Sequence, residues 1–235
     1  MTPIHRTARI HSRNAVIAAA LCWAGFAIVA WLVLTGRSAT IDRAGLLFWR
    51  AGAALEPRGG AFLLEMVRDL TALGGVLLRN LVALGAAAAL LFMACRREAM
   101  LLALTVACGW LVEWGIKIAV GRPRPEIVPH LTEAGGASFP SGHSFNAAVV
   151  YIAIALAFAA LSRRGGVRAA IIGGALILSL SIAWSRVWLG VHWPSDAMAG
   201  WLGGAGWAFA GHALLRRPSD MAADSETAQR LDPAS

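Results

Sequence analysis

The chain has 235 residues, of which 58% are hydrophobic and only 14% charged, and its mean hydropathy is +0.63. A water-soluble domain needs more surface charge, so the composition excludes an ordinary soluble protein and indicates one compact membrane unit. The formal charge of +8 does not indicate nucleic-acid binding, because the arginines stand between long apolar runs rather than on a basic arm.

The first apolar run, residues 14–35, is too long for the core of a signal peptide and lacks a small-residue cleavage site. It therefore predicts a retained transmembrane helix. The next segment, residues 40–60, places Ile41 and Phe48 on one helical face and includes the polar residues Asp42 and Arg50. This pattern predicts a helix lying in the membrane interface and ending near Gly60, and residues 61–73 predict a second amphipathic piece.

Further apolar runs predict an all-α, polytopic fold: a bundle of six transmembrane helices with short interfacial helices between the first two spans. The later spans have the approximate ranges 73–94, 100–120, 144–161, 168–184 and 196–215. Gly200, Gly204 and Ala208 recur every four residues and predict close helix approach. Residues 1–217 are expected to form the membrane domain, followed by a polar, disordered tail at 218–235.

An even number of spans places both chain ends on one side of the membrane. The flanks on that side carry a group of arginines, namely Arg6, Arg9, Arg13, Arg96, Arg97, Arg163, Arg164, Arg168, Arg216 and Arg217. Acidic residues accompany several of the arginines on the other side. This bias predicts cytoplasmic termini, with the loops at 121–139 and 185–194 facing outward together.

Three groups of polar residues lie near those two loops. They are Lys117 with Arg122-Pro123-Arg124-Pro125, then Pro140-Ser141-Gly142-His143, and finally Ser185-Arg186 with His192 and Asp196.

In the first group, Lys117 is the only lysine of the chain and lies at the end of an apolar helix, where a charge is costly and usually functional. Glu113 is one helical turn earlier, so an ion pair is available. A Lys117 that snorkels to the interface beside Glu113 is the structural alternative. Prolines stiffen the loop around Arg124 and fix where its guanidinium points. The structural alternative for Arg-Pro-Arg-Pro taken alone is a rigid basic turn.

In the second group, Ser141 can cap the following helix and Gly142 lets the backbone approach a ligand. The free N–H groups and the dipole at a helix start suit a phosphate, with His143 beside it as a proton donor. The alternative is a capped helix with an incidental histidine.

In the third group, Pro194 predicts a helix start that places Asp196 in the first turn. Asp196 can accept a hydrogen bond from His192 Nδ1 and leave Nε2 free to attack, while Arg186 offers a fork to phosphate oxygens. A purely structural His–Asp pair is the alternative. Since all three groups are expected at one membrane face, a shared phosphate site explains them better than three separate structural roles.

Together these groups resemble the three-part signature of the type 2 phosphatidate phosphatase superfamily, which reads Lys-x6-Arg-Pro, Pro-Ser-Gly-His and Ser-Arg-x5-His-x3-Asp. The resemblance implies a metal-independent hydrolysis in which His192 attacks phosphorus to give a phosphohistidine and His143 protonates the leaving oxygen. It also implies that Asp196 completes the catalytic set. The expected ligands of the phosphoryl oxygens are Lys117, Arg124, Ser141, Gly142 and Arg186.

No cofactor or metal is expected, because the loops carry no carboxylate cluster. The expected partners are the bilayer and a phosphorylated lipid, with no nucleic acid, and the expected location is a bacterial inner membrane with the site facing the periplasm. Candidate lipids are polyprenyl diphosphate, phosphatidic acid or phosphatidylglycerol phosphate, and lipid A. Arg79 is a candidate for reaching a second phosphate. The sequence does not define the oligomeric state.

Two other functions fit parts of the pattern. One is a membrane transporter or scaffold that binds phosphate without turnover, although His143, His192 and Asp196 argue against it. The other is a vanadate-dependent haloperoxidase with the same site layout, but those enzymes are soluble. A soluble phosphate ester as substrate is less favoured than a lipid.

Overall fold

The computed structural model describes residues 12–214, so Arg6, Arg9, Arg216 and Arg217 and the predicted tail at 218–235 lie outside the described residues. Eight helices and one pair of short strands make up this part of the chain. In chain order they are α1 (Ser12–Leu34), α2 (Ala39–Phe48), β1 (Arg50–Ala51), β2 (Glu56–Pro57), α3 (Gly60–Ala72), α4 (Val76–Phe92), α5 (Arg96–Val120), α6 (Gly142–Ala159), α7 (Gly165–Trp188) and α8 (Pro194–Leu214).

The almost entirely helical fold agrees with the prediction, whereas the count of six spans is not confirmed. Within residues 12–214, four helices are long and apolar enough to cross a membrane, namely α1, α5, α6 and α7. A fifth candidate is α3 with α4, two helices bent by 49° at a short break. α4 alone has only 17 residues, and glycine and alanine dominate α8, which lowers its apolarity.

The most buried helix is α6, and its contact with α8 depends on small residues. A Cβ atom on Gly204 would stand 2.1 Å from the Phe145 carbonyl oxygen, and one on Gly200 would stand 2.6 Å from that of Ser141. The predicted close approach through the small residues of α8 is therefore confirmed. α1 covers another face of α8, where Gly206 lies against Trp23.

The predicted helix over residues 40–60 is wrong in its second half. α2 ends at Phe48, and β1 and β2 pair as an antiparallel hairpin in which Arg50 faces Pro57. Gly52, Leu55 and Gly59 all have positive φ, which a continuous helix does not allow. The amphipathic pattern thus predicted the helix correctly over the first half of residues 40–60. The turn residues of the second half end the helix at Phe48.

α2 turns its apolar face outward and its polar face toward the rest of the molecule. Ile41 and Phe48 are exposed on its outer face, while Asp42 on the opposite face is buried. Arg50, just beyond the helix, is buried as well. An apolar outer face on a short helix is suited to the membrane interface, and the inward polar face contacts the site described below.

Candidate active site

The three polar groups meet at one end of the helical bundle. Successive helices run in opposite directions there, so the last turns of α5 and α7 lie beside the first turns of α6 and α8. The residues brought to this end are Lys117 in α5, Ser141, Gly142 and His143 at the start of α6, Arg186 in α7, Arg124 and His192 in the loops, and Asp196 in α8.

Asp196 is fully buried at the start of α8, which begins at Pro194 as predicted. Its Oδ2 accepts a hydrogen bond from the Trp193 backbone N–H at 3.1 Å, an arrangement that caps the helix start. The same oxygen accepts a hydrogen bond from the Ser138 hydroxyl, and Oδ1 pairs with the Arg122 guanidinium. The carboxylate is thus held by three donors.

The predicted direct bond between His192 and Asp196 is wrong. His192 Nδ1 lies 3.8 Å from Asp196 Oδ2, which is too far for a hydrogen bond. Ser138 stands between them, with its Oγ 3.2 Å from Nδ1. Because that hydroxyl donates to the carboxylate, its oxygen is free to accept the Nδ1–H. The loop before α6 therefore inserts a relay that spacing alone did not reveal.

The other ring nitrogen of His192 faces a cation. Arg124 Nη1 lies 3.1 Å from Nε2, and a guanidinium can only donate, so Nε2 accepts. This agrees with an imidazole that carries its proton on Nδ1. Burial and the nearby charges of Arg124, Arg186 and Lys117 hold the pKa of His192 well below its ordinary value. The ring is therefore neutral at neutral pH, and its Nε2 lone pair points at the Arg124 donor.

Arg124 is fixed by the backbone of two loops. Its Nη1 donates to the Val191 carbonyl at 2.7 Å, and Nη2 and Nε donate to the carbonyls of Gly135 and Gly136 at 2.7 and 3.0 Å. The flanking prolines are thus not the only restraint on the guanidinium, because three carbonyl groups hold it beside His192.

The predicted pair of Lys117 and Glu113 is present, with Nζ 2.8 Å from Oε1. It lies directly against the start of α6, where a Cβ atom on Gly142 would stand 2.9 Å from Glu113 Oε1 and 3.4 Å from Lys117 Nζ. Only glycine at position 142 leaves room for this approach. Lys117 is consequently turned toward the helix start rather than away from it.

Ser141 caps α6 as predicted. Its Oγ accepts hydrogen bonds from the Ser144 backbone N–H at 3.5 Å and from the Ser144 hydroxyl at 2.9 Å. The Ser141 backbone N–H donates to the Asp196 carbonyl at 3.0 Å, which links the starts of α6 and α8. One hydrogen bond therefore connects the second polar group to the third.

His143 and Arg186 complete the cluster. His143 lies within electrostatic range of Arg186, His192, Arg79 and Lys117. Arg186 is buried, and its Nη1 donates to Thr71 Oγ1 at 2.9 Å, whereas its Nε has no hydrogen-bond partner among the described residues. A buried guanidinium with an unused donor suits an anionic ligand.

Sequence reasoning missed a second set of polar residues behind Asp196. Arg122 donates to Asp42 Oδ2 at 2.7 Å and to Ser195 Oγ at 2.8 Å. Asp42 also accepts the Ser195 backbone N–H at 2.8 Å. The spacing of the sequence does not connect Asp42 in α2 with Arg122 and Ser195, which lie more than 70 positions away. The available signal was an acidic residue on an amphipathic helix, which indicates a polar face but not its partner.

A comparison with known proteins gives the site a family context. Residues 98–219 match the sequence profile of the PAP2 superfamily. Phosphatidylglycerophosphatase B of Bacillus subtilis strain 168 is 33% identical over 147 residues, which cover 59% of this chain and 68% of that protein. YbjG of Escherichia coli strain K12, named provisionally as an undecaprenyl-diphosphatase, is 34% identical over 136 residues, or 52% of this chain.

Coverage of the relatives is partial. The match spans 63% of YbjG, and it spans 44% of a lipid A 1-phosphatase of Rhizobium etli that is 35% identical over 112 residues. A solved structure covers more: the crystal structure of a transmembrane PAP2-type phosphatidylglycerolphosphate phosphatase from Bacillus subtilis has a TM-score of 0.74 and 25% sequence identity. That comparison covers 83% of this chain and 94% of the other.

The resemblance inferred from the three polar groups is thereby confirmed. The matched residues make up just over half of the chain and include every residue of those groups, from Lys117 to Asp196. The chain belongs to the PAP2 superfamily.

Proposed function

We propose that this protein is a lipid phosphatase that forms a phosphohistidine at His192. The observation that carries the proposal is the environment of that ring: Nδ1 faces the Ser138–Asp196 relay, and Nε2 faces the fixed guanidinium of Arg124. A neutral imidazole held in one tautomer beside several cations suits nucleophilic attack on a phosphoryl group. The lipid phosphatases named among its relatives support the same reading.

In the proposed reaction, Lys117, Arg124 and Arg186 bind the phosphoryl oxygens together with Ser141 and the Gly142 N–H at the start of α6. His192 Nε2 forms a bond to phosphorus, the bond from phosphorus to the leaving oxygen breaks, and His143 protonates that oxygen. Asp196 acts through Ser138 to stabilise the charge that develops on His192. Water then attacks the phosphohistidine and releases phosphate. Most of the catalysis comes from position and charge, as expected for phosphoryl transfer.

The proposed arrangement in the membrane has six spans, formed by α1, α4, α5, α6, α7 and α8, with the site facing the periplasm of a bacterial inner membrane. α2 and α3 lie in the interface on the site side. Their exposed apolar residues include Ile41, Phe48 and Phe62, which suit contact with lipid. A lipid headgroup would reach the site from the bilayer rather than from water.

The central test is covalent labelling. Purified protein incubated with ³²P-labelled phosphatidic acid and quenched in denaturant is expected to carry label that is stable in alkali and lost in acid. His192→Ala should abolish the label because it removes the nucleophile, whereas His212→Ala, at the far end of α8, should keep it. Labelling is expected to persist in EDTA, since no metal takes part in the proposed reaction.

Two results would count against this proposal. Full phosphate release by His192→Ala would exclude the nucleophile, and loss of activity in EDTA that added metal restores would exclude the metal-independent reaction. A phosphate-binding transporter or scaffold would bind the lipid but give no phosphoenzyme, so the same experiment separates these classes.

A further inference from the structure

Arg79 is a buried cation that the proposed reaction does not use. Its side chain is only 5% exposed, although its α4 neighbours Leu77 and Leu81 are 72% and 53% exposed. α4 therefore turns its apolar side outward and Arg79 inward. A charged side chain within an apolar helix is costly and is usually retained for a function.

The hydrogen bonds of Arg79 are weak for a buried charged group, whose burial costs free energy. Its Nη1 lies 3.4 Å from the Gly74 carbonyl oxygen, and its Nη2 and Nε lie 3.3 and 3.4 Å from Asn80 Oδ1. These distances exceed the usual 2.9–3.0 Å. Within residues 12–214 it forms no salt bridge, and the nearby Glu113 is engaged by Lys117 at 2.8 Å. Arg79 thus has donors to offer to an anion.

The break between α3 and α4 places this guanidinium beside His143. A Cβ atom on Gly74 would stand 3.4 Å from His143 Cδ2, so this glycine lies directly beside the ring. The carbonyl of the same residue accepts a hydrogen bond from Arg79 Nη1 at 3.4 Å. Neighbouring residues of the break also reach the site, because Thr71 binds Arg186 and the Leu73 carbonyl accepts a hydrogen bond from Tyr151 at 2.7 Å.

The location of Arg79 relative to the two histidines indicates what it would bind. Attack comes from the His192 side, and the leaving group departs on the side of His143. The charge of Arg79 acts on His143 but not on His192, so this cation is near the leaving group and away from the nucleophile. Arg124 lies 3.1 Å from His192 Nε2, whereas the charge of Arg79 acts on His143 and that of Arg186 acts on both rings.

Charge balance favours the same location for a second anionic group. Four cationic side chains act on the two histidines, namely Arg124, Arg186, Lys117 and Arg79. Glu113 offsets one of these charges, and Asp196 is already paired with Arg122. The remaining excess is larger than the charge of about −2 on a phosphate monoester, and a second phosphate would balance it better.

We propose that Arg79 and the α3–α4 break form a second phosphate subsite, so that the preferred substrate is a lipid diphosphate. This inference rests on the proposed function. His192 Nε2 bonds to the terminal phosphorus, and the bridging P–O bond breaks with its electron pair on the oxygen of the lipid monophosphate. Arg79 holds that departing phosphate. Water then releases the terminal phosphate from His192.

The test compares two lipids that differ only in the number of phosphates. Phosphate release is measured for a prenyl diphosphate and for the prenyl monophosphate with the same chain, using wild type, Arg79→Gln and Arg79→Lys. Arg79→Gln is expected to lower kcat/KM for the diphosphate by about 10- to 100-fold, the worth of a lost charge-assisted hydrogen bond, with much less effect on the monophosphate. Arg79→Lys should recover part of the loss. Arg163→Gln, at the opposite end of the bundle, is the control for removing one positive charge.

A second measurement needs only the wild-type protein and guards against a variant that does not fold. A non-hydrolysable prenyl methylenediphosphonate should inhibit at least tenfold more strongly than the matching prenyl phosphonate. Equal inhibition, or an equal loss with both substrates in Arg79→Gln, would overturn the second subsite and leave the phosphatase intact. Wild type that releases phosphate from neither lipid would instead contradict the proposed function itself.

Discussion

At the scale of single residues, the orientation of His192 depends on a serine outside the family signature. Ser138 is fully buried, and its backbone N–H donates to the Arg122 carbonyl at 2.7 Å. This bond fixes the hydroxyl between His192 and Asp196. Since the carboxylate itself is held by Arg122 and Trp193, the relay is rigid at both ends. A rigid relay selects one tautomer of the histidine.

We therefore expect Ser138→Ala to reduce kcat by about 10- to 100-fold, less than the roughly 10⁴-fold typical when the orienting carboxylate itself is altered. KM should change little, because Ser138 contacts no proposed phosphate ligand. Rapid-quench measurement of phosphoenzyme formation locates the effect in the attack step. In ¹⁵N NMR spectra of labelled histidine, the tautomer of His192 should become mixed.

Ser138→Cys is the matched variant, because it is close in size and retains a weak donor. Partial recovery of kcat with this variant is expected if the relay acts through its hydrogen bonds. Unchanged kcat in Ser138→Ala, with the wild-type tautomer, would show that Asp196 orients His192 without the serine.

At the scale of secondary-structure elements, sequence predicted helices well wherever the pattern was local. The start of α6 was predicted correctly from the capping residue Ser141, and the start of α8 from Pro194. Contacts between distant segments were not predictable in this way. The β1–β2 hairpin depends on turn residues such as Gly52, and the link from Asp42 to Arg122 and Ser195 depends on how α2 packs against α8. Neither leaves a spacing pattern in the chain.

The contact between α6 and α8 holds two of the three polar groups in position relative to each other. Gly204→Ala should destabilise the protein by about 1–3 kcal/mol, because the added Cβ atom would collide with the Phe145 carbonyl oxygen. A backbone atom cannot move aside by rotation as the end of a side chain can. Unfolding of both proteins in the same detergent measures the difference. The two helices would have to separate to accept the methyl group.

Gly173→Ala is the matched control, since this glycine lies within α7 with nothing within 4 Å of an added Cβ. There the substitution should be neutral or stabilising by up to about 1 kcal/mol, the ordinary helix preference for alanine. If both variants changed stability equally, close packing of α6 on α8 would not explain the glycine at 204.

At the scale of the whole molecule, the distribution of charge relates the site to the membrane. The site occupies the ends of α5 and α7, so the connections between α4 and α5 and between α6 and α7 lie at the opposite end. The described arginines at that end are Arg13, Arg96, Arg97, Arg163, Arg164 and Arg168. Cytoplasmic segments are enriched in such residues, whereas acids such as Asp42 and Glu133 accompany the arginines near the site.

This asymmetry predicts that Glu133 faces the periplasm and Arg163 the cytoplasm. Both residues are exposed, and they lie at opposite ends of the bundle. In a background without Cys22, Cys95 and Cys108, Glu133→Cys should react with a membrane-impermeant maleimide on intact spheroplasts. Arg163→Cys should react only after the membrane is permeabilised. The reverse pattern would place the phosphate site in the cytoplasm, and labelling of both positions in intact spheroplasts would contradict a single orientation. A periplasmic result would mean that substrate lipid must be presented in the outer leaflet, because the polar groups around His192 gather at one end of the helices only.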